Sequence, residues 1–279
     1  MEKAGLIEAL RTRFPLKHLL KAARMARSVF YYSLKQRSKP DKYANEIKVL
    51  SQLYHEHKGR YGYRRIYLGL RRLGYSLNHK VVQRLMQRLG LKSTVRPKRY
   101  RAYRGEVGQA AEHLLQRDFS ASQPNEKWVT DVTEFKVKGQ KVYLSPLIDL
   151  FNQEVVSYRI AKHTQLSLVT EMFEEGLEKL PEQKTLMVHS DQGWQYRNPQ
   201  TQKLLRDNGI VQSMSRKGNC LDNAVAENFF GILKSEMYHA KAFKDADHLI
   251  QEVHDYIEYY NHKRIKQKLK GLSPIEYRN

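Results

Sequence analysis

Apolar residues recur at intervals of three and four along the first part of the chain and change to alternation near residue 125. Leu16, Leu19 and Leu20 mark a short helix, and a second is predicted from about Arg27, with Ser28 as its N-cap and Tyr31, Tyr32 and Leu34 along it. Three further helices follow. The first covers 43–57, with Ile47, Leu50, Leu53 and Tyr54 at helical spacing, and the Gly59–Gly62 stretch breaks it. The next covers 63–73, buries Ile66 and Leu70, and is stopped by Gly74. Asn78 caps the last, which turns Val81, Val82, Leu85, Met86 and Leu89 inward.

Beyond residue 125 the pattern predicts strands at 128–137, 142–150 and 155–160, joined by turns at 138–140 and 152–153. An amphipathic helix over 166–180 closes at Pro181. An apolar strand at 185–189, a helix at 199–208 ended by Gly209, a strand at 210–214 and a helix from about Asp222 complete the series. Three antiparallel strands followed by alternating helix and strand predict an α/β unit, a mixed five-stranded sheet with flanking helices, preceded by all-α segments.

Charge divides the chain at the same place. The net charge is +21, and the first 125 residues hold 28 Lys and Arg against 8 Asp and Glu, while the rest hold 22 against 21. The front is an electrostatic handle for a polyanion, and the back is nearly neutral, with a late basic cluster at Lys263, Arg264, Lys266, Lys268 and Lys270. The single cysteine, Cys220, excludes a disulfide framework and a cysteine-rich zinc site and fits a reducing cytosol. No apolar run reaches the ~18–20 residues of a membrane span.

Several basic segments have two readings each. The pair of helices in 1–40, exposing Arg27, Lys35 and Arg37, reads either as a helix-turn-helix or as an amphipathic pair that docks on a partner chain. The outer face of the third later helix offers Lys80, Gln83, Arg84, Gln87 and Arg88, side chains that grip phosphates and read base edges or simply meet solvent. The run VRPKRYRAYRG carries Arg99 and Arg101 among five basic residues, with Tyr100 and Tyr103 for stacking; it reads as a phosphate contact or a flexible linker.

Candidate chemistry lies in the back half. Asp131 in WVTDVTEF and Asp191 in VHSDQGWQY stand at strand ends with 59 residues between them, and Glu227 follows after 35 more on a helix. Such a carboxylate trio suits two divalent cations, which stabilise both the attacking and the leaving oxygen of a phosphodiester displacement. Asn223, Glu227, Gly231 and Lys234 follow helical spacing and share a face, which places Lys234 two turns from Glu227, toward a phosphate. Asp149 in LIDLF is a further possible ligand, although its aliphatic neighbours suit a buried position.

The segment 126–234 resembles the integrase core of DDE transposases, with the Asp, Asp, thirty-five, Glu spacing shared with retroviral integrases. More closely, HSDQGWQY, SRKGNCLDNAVAENFFGILKSE and YYNHKRIKQKLKGLSPIEYR resemble bacterial insertion-sequence transposases made from a second, frameshift-reached reading frame; GRYGYRRI and RSVFYY extend the likeness over nearly the whole chain. The resemblance implies a ribonuclease H-like fold, with Asp131, Asp191 and Glu227 as catalytic metal ligands for two Mg²⁺ ions (Mn²⁺ substituting) and Lys234 as a phosphate-contacting base. On that chemistry Asp131 bridges both ions, Asp191 and Glu227 hold one each, and His189 and Asn223 orient the carboxylates. DNA contacts are expected from Lys234, Lys80, Arg84, Arg88, Arg99, Arg101, Lys263 and Arg264.

The expected organisation is a helical segment at 1–40, a three-helix DNA-binding domain at 41–94, a basic linker at 95–125, the catalytic core at 126–238 and a helical basic tail at 239–279. Expected partners are double-stranded DNA, as terminal inverted repeats and target, further copies of the chain, and an upstream-frame protein or fusion partner, in a bacterial cytoplasm at the nucleoid. Two other readings are a stand-alone nuclease of the same fold, which needs no end-specific binding, and a non-catalytic DNA-binding regulator, which needs none of the three carboxylates.

Overall fold

The computed structural model of the chain describes residues 2–38, 41–94, 111–181, 185–216 and 220–279. It divides into two compact units, Met1–Leu53 and Tyr54–Asn279. Among the described residues no helix is long and apolar enough to cross a membrane.

The first unit holds α1 (Glu2–Leu10), α2 (Leu16–Ala22), α3 (Arg27–Ser38) and most of α4 (Ala44–Glu56). Ala4, Ile7, Leu20 and Phe30 form its small core. Helix α1 lies where no element was predicted. Ser28 sits inside α3, so it does not cap that helix.

In the second unit, α5 (Tyr63–Arg72) and α6 (His79–Arg88) follow the predicted helices closely. Gly59 and Gly74 take φ of +72° and +86°, a conformation that a side chain disfavours, which explains both helix breaks. The Asn78 side chain accepts from the Lys80 amide at 2.8 Å and caps α6 as expected. Val82, Leu85 and Met86 are buried, but Val81 is only half-buried and Leu89, at the helix end, is exposed.

The sheet contains β1 (Lys127–Thr130), β2 (Thr133–Val137), β3 (Gln140–Asp149), β4 (Val155–Ala161), β5 (Met187–Ser190) and β6 (Val211–Met214). It has six strands where five were predicted, because the first predicted strand is broken at Asp131 and Val132. Both pieces pair antiparallel with β3, Thr130 opposite Leu147 and Thr133 opposite Leu144, so position 131 falls opposite Pro146. A proline has no N–H to give a ladder, and the pairing lapses there. On its other side β3 takes β4, also antiparallel; β1, β5 and β6 run parallel.

Helix α7 (Ser167–Glu178), the short α8 (Trp194–Arg197) and α9 (Pro199–Asp207) follow β4 and flank β5 in sequence. After β6 come a 3₁₀ turn (Cys220–Asn223), α10 (Ala224–Leu233), a π turn (Lys234–Tyr238), α11 (Ala246–His262), a second 3₁₀ turn (Gln267–Leu269) and α12 (Pro274–Arg278). Strand alternation splits the core in two. Val129, Phe135, Leu144 and Ile148 meet Phe229, Leu233, Val253 and Tyr256 of α10 and α11. Trp128, Leu147 and Val188 meet Val169, Phe173, Tyr196 and Leu205 of α7, α8 and α9. A Cβ on Gly176 would stand 2.7 Å from Leu147, so α7 lies against the sheet at a distance only glycine permits.

Candidate active site

The break after β1 carries Asp131, and the residue after β5 is Asp191. Because β1 and β5 are parallel neighbours, both aspartates leave the sheet at the same carboxyl-end edge, where such sheets place their sites. The Asp131 carboxylate accepts from the Val132 amide at 2.7 Å, and Asp191 accepts from the Gly193 amide at 2.8 Å. Beneath them Tyr196 is buried, its hydroxyl 3.1 Å from that of Thr130.

Glu227 is exposed on the first turn of α10, at the helix end that favours negative charge. Its charge reaches Asp131. Burial pushes the Asp131 carboxyl well above the usual range, the charges of Asp191 and Glu227 push it further, and the Val132 amide and Lys234 offset them only in part. Burial also raises Asp191, against the Gly193 amide and Arg197. Asp191 and Glu227 are thus both electrostatic neighbours of Asp131, and the cations Lys234 and Arg197 offset burial only in part. Among the described residues no three His, Cys, Asp or Glu side chains stand close enough to share one ion.

Asn223 donates to the Thr130 carbonyl at 3.0 Å, fixing the end of β1 one residue before Asp131. Its own side-chain oxygen is buried and unpartnered among the described residues. His189 differs from expectation. Its two ring nitrogens meet the hydroxyls of Ser213 and Ser215 at 2.8 and 3.1 Å, so it ties β5 to β6 and the residue following it and does not orient a carboxylate. Burial lowers its basicity to a pKa of about 4, and this clamp is therefore neutral at neutral pH.

Lys234 follows the last residue of α10 with helical φ and ψ of −63° and −38°, its amide still bonded to the Phe230 carbonyl, so it stays on the predicted face as a π turn begins. Its amine donates to the Thr133 hydroxyl at 2.7 Å and lies over the Phe135 ring, toward β2 and within the field of Asp131. It is an internal cation of the site as well as a candidate phosphate contact. Asp149 is no ligand: it is buried, accepts from the amides of Asn125 and Phe151 at 2.9 and 3.0 Å, and faces Arg278.

Lys80, Arg84 and Arg88 are exposed on α6, and Lys263 is exposed after α11. Arg99 and Arg101 lie outside the described residues. Arg264 is buried and grips Glu236 with two hydrogen bonds of 2.9 and 2.7 Å, so its predicted direct DNA contact is replaced by a structural ion pair.

The sequence reading missed Asp222. It is fully buried and accepts from Arg117 at 2.7 Å and from both the side chain and the backbone of Arg216, which pins the approach to α10. Arg216 and Arg117 hold its carboxyl far below the ordinary range despite burial. Nothing in the local pattern announces a partner 105 residues away.

Two neighbouring parallel strand ends, each bearing an aspartate, with a helix bringing a glutamate to them, define an integrase-type core. The family comparisons agree: "integrase core domain" profiles match residues 121–220 and 227–279, and an "HTH-like domain" matches 41–99. The chain is 57% identical over 274 residues to the InsK protein of insertion sequence element IS150 from Escherichia coli K12, covering 98% of this chain and 97% of that one. It is 32% identical to the transposase InsF of IS3A from the same organism, over 99% of this chain and 98% of that one. A chain of a simian T-cell lymphotropic virus intasome solved with a PP2A regulatory subunit shares the fold, with a TM-score of 0.50 at 17% identity over 82% of this chain and 74% of that one. The chain belongs to the insertion-sequence transposases with an integrase core, and is a polynucleotidyl transferase of ribonuclease H-like fold.

Proposed function

We propose that the chain cleaves DNA at the ends of its insertion sequence and joins the freed 3′-hydroxyl to target DNA, with Asp131, Asp191 and Glu227 as its catalytic carboxylates. The observation that carries this reading is the placement of Asp131 and Asp191 at neighbouring parallel strand ends, with the charges of Asp191 and of Glu227 on α10 both reaching Asp131. The donor set fits hard divalent cations: the trio offers only carboxylate oxygens, and burial holds two of the carboxyls above their usual range. Asp131, Asp191 and Glu227 would hold two Mg²⁺ ions, with Mn²⁺ as a substitute. Such a pair supplies charge stabilisation at both the attacking and the leaving oxygen of an in-line displacement.

The chain's own groups set up that displacement. The Gly193 amide fixes the Asp191 carboxylate, Asn223 fixes the strand end that carries Asp131, and Lys234 adds a positive charge beside Asp131. Water attacks the phosphodiester at the element's end, and the P–O bond to the 3′ oxygen breaks. The released 3′-hydroxyl then attacks a target phosphodiester, displacing its 3′ oxygen directly, with no covalent enzyme intermediate. A Cβ at position 193 would stand 2.9 Å from the Asp191 carboxylate. Gly193→Ala is therefore expected to slow cleavage by up to about a hundredfold through misplacement alone, with the melting temperature almost unchanged; unaltered cleavage would separate Asp191 from the chemistry.

For DNA we assign the exposed row Lys80, Arg84 and Arg88 on α6, together with Lys263 and the basic linker residues Arg99 and Arg101. Each phosphate contact contributes about 0.9 to the slope of log K against log salt. Replacing the three α6 residues by alanine should flatten the slope for an end-bearing duplex by roughly 2 to 3; a parallel slope in gel-shift titrations would remove α6 from the interface. The working domains are taken as 1–40, 41–94, 95–125, 126–238 and 239–279, in a protein that acts at the nucleoid. The upstream reading frame would supply either a separate partner or a fused segment. Joining two ends calls for a homo-oligomer on DNA, and a monomer on paired ends by light scattering would contradict that.

A further inference from the structure

A cavity of about 720 Å³ lies within the Tyr54–Asn279 unit, between the start of α5, one flank of α10 and the chain after α11. Six cations line it, Arg60, Arg64, Arg65, Arg264, Lys266 and Lys268, and no Asp or Glu does so among the described residues. Glu227 is not part of its wall. The carboxylate that meets these cations is Glu236, which is not in the wall and is consumed from within: Arg264 takes both of its oxygens, Arg65 approaches one at 3.3 Å, and Tyr256 donates to the other at 3.0 Å.

The remaining cations have neutral partners. Lys266 is buried at 7% exposure, and among the described residues its amine donates to the Gln153 side chain at 2.7 Å and to the Tyr260 hydroxyl, over whose ring it lies. Arg60 lies over the rings of Tyr259 and Tyr256, and Arg64 over Tyr63. Arg64 and Lys268 have no carboxylate partner among the described residues and are exposed at the rim. A buried ammonium beside two guanidiniums is costly unless an anion joins them. Accordingly, burial and the charges of Arg264 and Arg65 push the Lys266 amine well below its ordinary range.

The wall also presents the half-buried rings of Tyr63 and Phe119, with Phe229 and Tyr260 buried behind them. Cations interleaved with aromatic faces are what a single strand of nucleic acid uses, phosphates on the cations and bases on the rings. A concavity of this size takes a nucleotide or two of one strand and excludes a duplex.

We propose that this cavity is a second nucleic-acid site, separate from the carboxylate trio, which holds phosphates of an unpaired DNA strand. The proposal rests on the chain acting on DNA, and it adds a place where a strand freed from its complement is held. It does not depend on which carboxylates cleave.

The test uses the full chain and a labelled short oligothymidylate, read by fluorescence anisotropy. The paired substitution Arg64→Ala with Lys268→Ala changes only rim residues, so the fold should survive. It should weaken binding at least about tenfold and flatten the salt slope by roughly 1.4, two single-strand contacts. Lys203→Ala with Arg206→Ala, an equal loss of exposed charge on α9 outside the cavity wall, should leave that binding intact, and so should Asp191→Asn. Equal affinity in wild type and the rim variant would overturn the proposal. Full displacement of the strand by millimolar inorganic phosphate would also overturn it, in favour of a small-anion site. If Asp191→Asn still cleaved DNA while the rim variant lost the strand, the catalytic assignment would fall and the cavity would stand.

Discussion

Arg264→Ala is expected to cost the fold about 3–5 kcal/mol, the penalty of leaving a buried carboxylate without its partner. Glu236 and Arg264 are each about 2% exposed in their side chains and face one another through two short hydrogen bonds. The same carboxylate also receives Arg65 and Tyr256, and its backbone carbonyl receives Arg60. One ion cluster thereby ties the loop and helix that begin the second unit to the π turn after the catalytic helix and to the chain beyond α11. Chemical denaturation should show the loss, and the double change Glu236→Gln with Arg264→Met should recover much of it, because both fully buried charges of the pair are removed together and the part-exposed Arg65 can turn to solvent.

The cluster carries a pH signature. Burial raises the Glu236 carboxyl, but the hydrogen bonds and charge of Arg264 outweigh burial and leave it below its ordinary value. The unfolded chain then binds the proton first, so the contribution is complete above the ordinary carboxylate range and is lost as pH falls through the lower, folded value. Wild-type stability should fall with acid over that interval, and the double variant should fall less. Equal acid sensitivity in both would remove the cluster from the account.

Asp131→Asn should separate chemistry from stability. The loss of a carboxylate that helps stabilise developing charge is worth several kcal/mol at the transition state, hence about a thousandfold or more in cleavage rate. In the absence of divalent cations the same change removes a charge that burial, Asp191 and Glu227 all disfavour. The melting temperature of the metal-free protein should rise while cleavage disappears. A variant that is both inactive and less stable would mean that Asp131 serves the fold.

Much of this architecture was readable in advance, for identifiable reasons. Alternation marked each strand, and Gly59, Gly74 and Asn78 marked helix ends because their backbone and capping chemistry is local. Asp191 falls just past its predicted strand for the same reason, whereas the predicted strand 128–137 runs through Asp131. The break between β1 and β2 was not read, since VTDVTEF is continuous in β propensity and its cause, Pro146, sits on the facing strand. The face shared by Glu227 and Lys234 follows from helical spacing alone, and Lys234 keeps helical backbone where the π turn begins. Arg264 looked like one more surface cation in KRIKQK, because its carboxylate stands 28 residues earlier and the burial that joins them is tertiary. Asp222 and its arginines were missed on the same ground.

The central claim is that Asp131, Asp191 and Glu227 are one catalytic set, and strand nicking tests it most directly. A labelled duplex carrying the element's terminal repeat is incubated in Mg²⁺ or Mn²⁺ with wild type, Asp191→Asn and Glu227→Gln, each first shown to melt like wild type. Should wild type be silent, the product fused to the upstream frame is assayed in the same way. The account predicts a nick that leaves a 3′-hydroxyl with the wild-type protein and none with either variant. A nick that survives both substitutions would contradict it.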